Sequence, residues 1–314
     1  MSTDRRGDRV FLGWTTGDAR GPLVARYPSG PAETAALPRR WPWRPAPTVP
    51  THPAAAWPWK QVPHFLLVGA TGAGKTTQLR VMAASLLAAT RPATRALCLA
   101  DGEGSDWGLM FAGQAGVLTA NGPAELADLI GETWNEMHKR RQQYTQARQR
   151  MAATHNPAGI DWKPPRWLHL WIDEYLAGVM QLPAKQRAEA IDRLTQIVIG
   201  GRKVRMRVGI GVQRPDARVM DAGLPGLLKA ELKLRMATVG IMGLDDMEGR
   251  MAFDDAHAGR YLKMEQGEAL VRVGRREVRY NVPWLADGTD LEATAADRRA
   301  AWAAIPRPVE ERIA

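Results

Sequence analysis

Residues 65–78, FLLVGATGAGKTTQ, constrain the fold of this chain more than any other stretch of its sequence. The apolar residues 65–68 predict a buried parallel strand, and residues 77–89 after the glycine-rich turn predict a helix. Glycines let the backbone N–H groups of such a turn point inward at a polyanion, and the new helix adds the positive end of its dipole. The stretch therefore predicts a phosphate-binding loop. The flanking strand and helix argue against the alternative, a glycine-rich turn with an unrelated lysine.

The side chains around these glycines match what a nucleotide with Mg²⁺ requires. Lys75 supplies a point charge for the β- and γ-phosphates, and Thr76 supplies a hydroxyl ligand for the metal ion. The predicted nucleotide-binding residues are Gly69, Ala70, Thr71, Gly72, Ala73, Gly74, Lys75, Thr76 and Thr77.

A second apolar run, residues 167–172, ends in Asp173 and Glu174. Because parallel strands present their carboxyl ends at one edge of a sheet, where ligands bind, we expect this pair opposite the loop. Asp173 would hold Mg²⁺ through water, and Glu174 would accept the proton of the attacking water. An acidic cap on the next helix is the alternative interpretation. Gln213 follows the run 207–212, and its amide is suited to orienting the water and sensing the γ-phosphate.

Strand patterns alternate with helix patterns along the chain. Further strands are predicted at residues 95–100, 232–237 and 269–273, the last forming a hairpin with residues 277–282, and helices at residues 123–151, 185–199 and 287–303. This alternation predicts an α/β fold with a mostly parallel, doubly wound sheet.

The N-terminal part has a different composition. Residues 38–63 hold eight prolines and four tryptophans, which exclude a helix or a central strand. We expect a linker or surface arm whose tryptophans pack on the chain's own core or on a neighbouring subunit; binding of another partner is the alternative. Short strands are predicted at residues 9–12 and 23–26. The predicted domains are an N-terminal lead-in with the Pro/Trp-rich arm (1–61), a nucleotide-binding core (62–283) and a C-terminal helical tail (284–314).

Composition limits the partners and the compartment. Lys and Arg number 43 against 33 Asp and Glu, a net charge of +10, which suggests a polyanionic partner or simply a basic protein. The single cysteine, Cys98, lies in an apolar run and is expected in the core, so a reducing compartment is indicated. The sequence shows neither a membrane-spanning apolar run nor a signal peptide. We therefore expect a cytoplasmic protein, with recruitment to the inner face of the membrane left open.

Five segments, in this order, resemble the FtsK/SpoIIIE family of DNA translocases. They correspond to the family's phosphate-loop block (residues 62–76), its Glu-Met-x-x-Arg helix (135–141), its acidic motif (172–175), its Gln-Arg-Pro segment (209–215) and the start of its final strands (266–270). Among relatives, the design most resembles the TraB/TraSA-type transfer proteins of actinobacterial conjugative elements.

The resemblance implies a RecA-like P-loop ATPase core, assembled as a homohexameric ring around double-stranded DNA with ATP and Mg²⁺ at subunit interfaces. It implies DNA translocation in conjugative transfer, with any membrane or transfer-apparatus anchor supplied by another protein. Such a ring needs an arginine from the neighbouring subunit, for which Arg250 and Arg235, and more weakly Arg214, are the candidates.

The resemblance also implies contacts from pore loops to DNA phosphates, independent of base sequence. The predicted residues, near the strand that ends at the glutamine, are Arg202, Lys203, Arg205 and Arg218. The basic end of the long helix, residues 139–150, is expected to be a solvated outer face instead.

The chain departs from the family pattern at two places. Val212 stands where the family usually has threonine, and Gly102-Glu103 replaces a Pro-Lys pair, which puts a basic contact there in doubt. Other functions stay open: a viral DNA-packaging ATPase, an FtsK-related protein-export ATPase, or a P-loop kinase or nucleotide switch. The positive net charge disfavours export, and a kinase needs neither the Gln-Arg-Pro segment nor the Glu-Met-x-x-Arg helix.

Overall fold

The computed structural model describes residues 9–15, 54–58, 63–90, 92–104, 108–154, 165–215, 220, 227–238, 246–255, 267–273 and 276–282. The strands are β1 (Arg9–Thr15), β2 (Ala54–Pro58), β3 (Phe65–Val68), β4 (Arg95–Asp101), β5 (Val117–Asn121), β6 (Trp167–Asp173), β7 (Met206–Val212), β8 (Leu234–Thr238), β9 (Glu268–Val273) and β10 (Arg276–Asn281). The helices are α1 (Lys75–Ala89), α2 (Pro123–Thr154), α3 (Tyr175–Gln181), α4 (Ala184–Gly200), α5 (Leu227–Glu231) and α6 (Asp246–Phe253), with 3-10 turns at Leu109–Phe111 and Gly201–Val204.

All of these strands belong to one mixed sheet, in the order β2-β1-β10-β9-β8-β3-β7-β6-β4-β5. From β8 to β5 every neighbouring pair is parallel. From β8 to β2 every pair is antiparallel, including the β9–β10 hairpin. The prediction of a mostly parallel α/β core with a C-terminal hairpin is confirmed.

Side chains alternate between the two faces of the sheet, as the two-residue period of a strand requires. On β3, Phe65 and Leu67 join a core formed with α1, whereas Leu66 and Val68 join the larger core beneath α2, α3 and α4. Both faces are covered, which explains why the parallel strands consist of almost uninterrupted apolar runs. Cys98 is buried on β4, where burial raises the pKa of its thiol to about 12, as expected for a core residue.

The sheet extends into the N-terminal segment that we predicted to precede the core. β1 confirms the strand expected at residues 9–12, and β2 lies in the proline-rich stretch. β2 pairs on one side with β1 and ends the sheet order, so its proline stands on an edge strand, where a missing backbone donor is tolerated. The predicted strand at 23–26, the helix at 287–303 and most of the Pro/Trp-rich stretch lie outside the described residues.

Short elements were missing from the sequence prediction. These are β2, β5, α3, α5 and α6, each of eight residues or fewer. Such short elements carry too few turns or alternations for a clear periodic signal, so tertiary contacts decide them. In the described part of the chain, no helix combines the length and apolarity that crossing a bilayer requires.

Candidate nucleotide-binding site

The carboxyl ends of the parallel strands bring the predicted site residues together. β7 lies between β3 and β6, with Val68 beside Val212 and Ile172 beside Ile210. The residues that follow these strands are the phosphate-binding loop, Gln213 and the acidic pair. Strand order therefore places the two predicted groups of residues at one edge of the sheet, and their roles stay predictions.

The loop has the backbone conformation that its glycines permit. Gly72 and Gly74 have φ values of 74° and 86°, a region that residues with a side chain rarely adopt. Gly69 is needed for a different reason, because a Cβ there would lie 2.4 Å from Thr238 Oγ1. α1 begins at Lys75 without a side-chain cap and without an acidic residue in its first turn. Neither a side-chain cap nor a first-turn carboxylate therefore offsets the first amides and the dipole of α1.

Lys75 and Thr76 each contact one member of the acidic pair. Lys75 is 4% exposed, and its Nζ lies 3.0 Å from Glu174 Oε1. Thr76 Oγ1 donates a hydrogen bond of 2.7 Å to Asp173 Oδ2. The side chains predicted to bind phosphate and metal are thus already in contact with the side chains predicted to bind metal and to accept a proton.

Asp173 is almost completely buried, and this desolvation raises the pKa of its carboxyl to about 6. The Thr76 hydroxyl and the Lys75 ammonium oppose the shift, while the carboxylates of Glu174 and Asp101 add to it. Gly211 on β7 leaves room for this carboxylate, because a Cβ there would lie 2.7 Å from Asp173 Oδ1. A cation at this position would relieve the desolvation of the charged form.

Glu174 has an uncommon backbone conformation, with φ 45° and ψ 43°. Its N–H donates to Asp173 Oδ1 over 3.0 Å, and its carbonyl accepts from the N–H of Gly178 over 3.0 Å. Left-handed backbone at a residue other than glycine costs about 1–3 kcal/mol and persists only where the surroundings enforce it. Glu174 is the N-cap residue of α3 and makes no side-chain capping hydrogen bond, and its role as a base stays a prediction.

Two glycines permit the close packing around Glu174. A Cβ on Gly102 would lie 2.2 Å from the Glu174 carbonyl oxygen, and a Cβ on Gly178 would lie 2.6 Å from Gly102 Cα. The Gly102 N–H also donates to the Asp173 carbonyl over 2.9 Å. The replacement of the family's Pro-Lys pair by Gly102-Glu103 therefore has a structural correlate, since the backbone after β4 passes directly over the first turn of α3.

The structure separates the two main candidates for an arginine acting on a neighbour's nucleotide. Arg235 lies on β8 beside Leu66, is 8% exposed, and donates to the carbonyl of Lys229 with Asp254 nearby. It would have to leave these intramolecular contacts to reach another subunit. Arg250 is exposed on α6, and Arg214 is exposed after β7. The role of each stays a prediction.

The predicted DNA-contacting cations that the structure describes lie at the opposite end of β7 from Gln213. Arg202 and Lys203 are exposed on the 3-10 turn before β7, so the full length of that strand separates them from Gln213. Arg205 has φ 62°, donates to the Pro165 carbonyl over 3.4 Å and lies over the ring of Trp167. The placement of Arg205 is thus explained by packing. Arg218 lies outside the described residues.

Sequence reasoning did not assign two buried polar residues at this edge. Asp101 ends β4 directly beside Asp173, and its Oδ1 accepts from the Glu103 N–H over 3.0 Å. Thr238 ends β8, and its hydroxyl lies 3.5 Å from the Val68 carbonyl, against the phosphate-binding loop. Both follow the rule that identified the acidic pair, namely a polar residue at the carboxyl end of an apolar strand.

The donors and acceptors at this edge fit a nucleotide with Mg²⁺. The loop presents amides, a helix terminus and Lys75 to anions, and a hydroxyl and a carboxylate oxygen lie side by side at Thr76 and Asp173. Mg²⁺ is typically held by one or two such oxygens together with water and substrate phosphates. No cluster of three His, Cys, Asp or Glu side chains occurs in the described ranges, so these residues do not form a metal site built only of protein ligands.

Comparisons with known proteins agree with this geometry. Residues 49–164 match the FtsK/SpoIIIE family model, a span that includes the phosphate-binding loop and ends before Asp173. The DNA translocase FtsK of Lactiplantibacillus plantarum is 27% identical over 194 residues, which are 59% of this chain and 23% of that protein. The FtsK domain-containing protein YdcQ of Bacillus subtilis is 26% identical over 227 residues, which are 71% of this chain and 43% of that protein. The chain spans less than half the length of both relatives.

Two solved structures are similar in fold. The pCW3 conjugation coupling protein TcpA, in a monomer form with ATPγS, superposes with a TM-score of 0.57 at 19% identity, over 74% of this chain and 64% of that chain. The cytoplasmic domain of the type VII secretion ATPase EccC from Thermomonospora curvata gives a TM-score of 0.63 at 16% identity, over 98% of this chain and 32% of that chain. The fold is therefore that of P-loop ATPases of the FtsK and type VII secretion kind.

Proposed function

We propose that this chain is an ATP-driven motor that moves double-stranded DNA as a homohexameric ring, in the conjugative transfer of a plasmid or integrative element. The observation that carries the proposal is the double contact of Lys75 with Glu174 and of Thr76 with Asp173. It unites a phosphate-binding loop with a metal ligand and a proton acceptor, which together are what hydrolysis of a nucleoside triphosphate requires.

The residues have distinct roles in the proposed reaction. Lys75 exchanges the Glu174 carboxylate for phosphate oxygens when nucleotide enters, because one ammonium group cannot serve both fully. The released Glu174 carboxylate then accepts the proton of the attacking water, which the amide of Gln213 orients. Thr76 and Asp173 would hold Mg²⁺, which would neutralise charge on the phosphates. Arg250 of the neighbouring subunit supplies a further positive charge in the ring that we propose.

The DNA substrate is supported by three observations. Residues 49–164 match the FtsK/SpoIIIE family, and a conjugation coupling protein has a similar fold. The chain carries a net charge of +10, which favours a polyanion. Phosphate contacts would make binding insensitive to base sequence and strongly dependent on salt.

The test is ATP hydrolysis with and without duplex DNA, for the wild type and for Lys75→Ala and Glu174→Gln. We expect duplex to stimulate the wild type. Glu174→Gln should retain nucleotide binding and lose about 10²- to 10⁴-fold in kcat, since an amide cannot accept a proton. Lys75→Ala should lose both binding and hydrolysis, whereas Lys139→Ala, which changes an exposed lysine on α2, should behave as the wild type.

Stimulated hydrolysis in Lys75→Ala would refute the site assignment. Electron microscopy with duplex and a non-hydrolysable ATP analogue tests the proposed ring. We expect images of six subunits around DNA. Hydrolysis that duplex leaves unchanged would refute the DNA motor and favour a protein-export ATPase, the function named for the EccC structure of similar fold.

A further inference from the structure

The second half of α2 carries a concentrated positive charge that the proposed ATPase site does not use. Residues 137–154 contain five Lys or Arg and no Asp or Glu. Within the last 14 of these residues, 141–154, only Ala147 is buried. A helix of 32 residues is about 48 Å long, so its end continues beyond the apolar packing that holds its beginning. Such a surface keeps its cations in water and available to an anion.

One side of this helix end forms a groove with the 3-10 turn before β7. Two adjoining depressions share Arg141 and Lys203, and the second one also includes Tyr144 and Arg148. No carboxylate lines either depression. Among the described residues, Arg141, Arg148 and Lys203 form no ion pair, and Arg148 lies over the ring of Tyr144 at 5.9 Å. The groove therefore presents three cations whose charge no carboxylate of the described residues neutralises.

A buried arginine holds the two walls of the groove in register. Arg140 is 4% exposed, and its Nη1 donates to the carbonyls of Arg166 and Val204 over 3.0 and 3.2 Å. Its Nε donates to Glu136 over 2.7 Å. Gly200 has no side chain to displace Arg141, whose Nη1 would lie 3.2 Å from a Cβ at that position. The hydrogen bonds of Arg140 thus hold α2, which carries Arg141 and Arg148, against the 3-10 turn that carries Lys203.

We propose that this groove, defined by Arg141, Arg148 and Lys203, binds the phosphate backbone of nucleic acid. The site goes beyond the proposed motor, because it lies at the amino ends of the strands, opposite the nucleotide site, and needs no ATP. Exposed glutamine side chains at 142, 146 and 149 lie on the same helix, outside the two depressions, and are donors of the kind that contact phosphate and sugar.

The chemistry of the surface favours nucleic acid over an acidic membrane. A membrane-surface helix presents large apolar side chains beside its basic face. Residues 137–154 of α2 carry no exposed large apolar side chain. Ile199 on α4 is an exposed apolar residue that borders the groove. The concave shape also suits a strand of phosphates better than a flat headgroup layer.

The experiment compares two variants with the same change in net charge. Arg141→Ala/Arg148→Ala/Lys203→Ala removes the groove cations, and Lys139→Ala/Lys185→Ala/Lys233→Ala removes three exposed lysines that line neither depression. Binding of a fluorescent 40-base-pair duplex is measured by anisotropy across a range of KCl concentrations, without nucleotide. We expect the groove variant to bind about 10- to 100-fold more weakly, with the slope of log K against log salt reduced by about 2 to 3. The control variant should change the slope by less than about 1.

An equal change in both variants would overturn the proposal, because net charge alone would then explain it. An unchanged slope in the groove variant would overturn it as well. So would loss of binding to phosphatidylserine vesicles with unchanged duplex binding, which would assign the groove to membrane. ATP hydrolysis by the groove variant, measured without DNA, should equal that of the wild type. If duplex fails to stimulate the wild-type ATPase while the slope falls only in the groove variant, the groove stands and the proposed motor fails.

Discussion

The two ends of the parallel strands, called here the carboxyl edge and the amino edge, use buried charged groups in opposite ways. At the carboxyl edge, Lys75 and Thr76 contact an acidic pair that includes one strained residue and one carboxyl with a raised pKa. At the amino edge, buried Arg140 donates to backbone carbonyls, and buried His64 accepts the Val208 N–H at its Nδ1 over 3.0 Å. At the carboxyl edge, a bound ligand would relieve the desolvation of buried side chains such as Asp173. At the amino edge, buried side chains join strands and helices. The comparison teaches that burial of polar groups alone does not mark a site. The carboxyl edge is distinguished by an acidic pair in contact with the lysine and the hydroxyl of the phosphate-binding loop.

The amino edge should respond to mutation through stability and not through chemistry. Arg140→Met removes a buried guanidinium and leaves the carbonyls of Arg166 and Val204 and the carboxylate of Glu136 without that donor. We expect a loss of about 3 kcal/mol in the free energy of unfolding, measured by denaturant titration. Arg141→Met, on the exposed neighbour, should change it by less than about 0.5 kcal/mol. A lower kcat per folded molecule in Arg140→Met would contradict the prediction that the amino edge acts through stability alone.

The carboxyl edge should show the reverse behaviour. Gly102→Ala forces a methyl group against the Glu174 carbonyl oxygen and so displaces the predicted base. We expect kcat to fall about 10- to 100-fold while nucleotide affinity stays within about threefold, since the phosphate-binding loop is untouched. Steady-state kinetics and binding of a fluorescent nucleotide separate the two quantities.

A matched control for this variant is Gly131→Ala, where the new Cβ meets only Arg193 Nη1, the end of a flexible side chain, at 3.0 Å. It should retain the wild-type kcat. A folded Gly102→Ala protein with normal kcat would show that Glu174 does not depend on this contact.

The smallest expected effect is a pH dependence of stability at the amino edge. Burial lowers the pKa of His64 to about 3, with nearby Arg207 as a further cause. The unfolded chain therefore binds more protons below about pH 6.5, and stability is lost as pH falls from that value. The loss amounts to about 2 kcal/mol at pH 5. Asp173 acts in the opposite direction, because its raised pKa of about 6 lets the folded state bind a proton first and adds stability as pH falls through 6.

Comparison with His64→Gln isolates the histidine, because Asp173 is common to both proteins and glutamine can still accept a hydrogen bond. Between pH 7.5 and 5, the wild type should lose about 2 kcal/mol more unfolding free energy than this variant in denaturant titrations. His138→Gln, on an exposed face of α2, should differ from the wild type by less than about 0.5 kcal/mol over the same range. An identical pH response in wild type and His64→Gln would contradict the neutral buried histidine.

The sequence by itself determined the phosphate-binding loop, the acidic pair and the alternating α/β core. Each is a contiguous pattern, and the requirement that parallel strands share one carboxyl edge was enough to join Lys75 to Glu174. The same rule could have identified Asp101 and Thr238. The five segments of family resemblance added a function that no local pattern contained.

Only the tertiary structure decided which charges are used internally and which stay exposed. Lys203 and Arg205 lie in one basic stretch, yet Arg205 donates to the carbonyl of Pro165 whereas Lys203 is exposed. The contact of Gly102 with Glu174 joins residues that are far apart in sequence, as does the contact of Arg140 with Val204. The reason is physical, because burial, strain and close approach arise from strand order and helix packing, which no single stretch of the chain specifies.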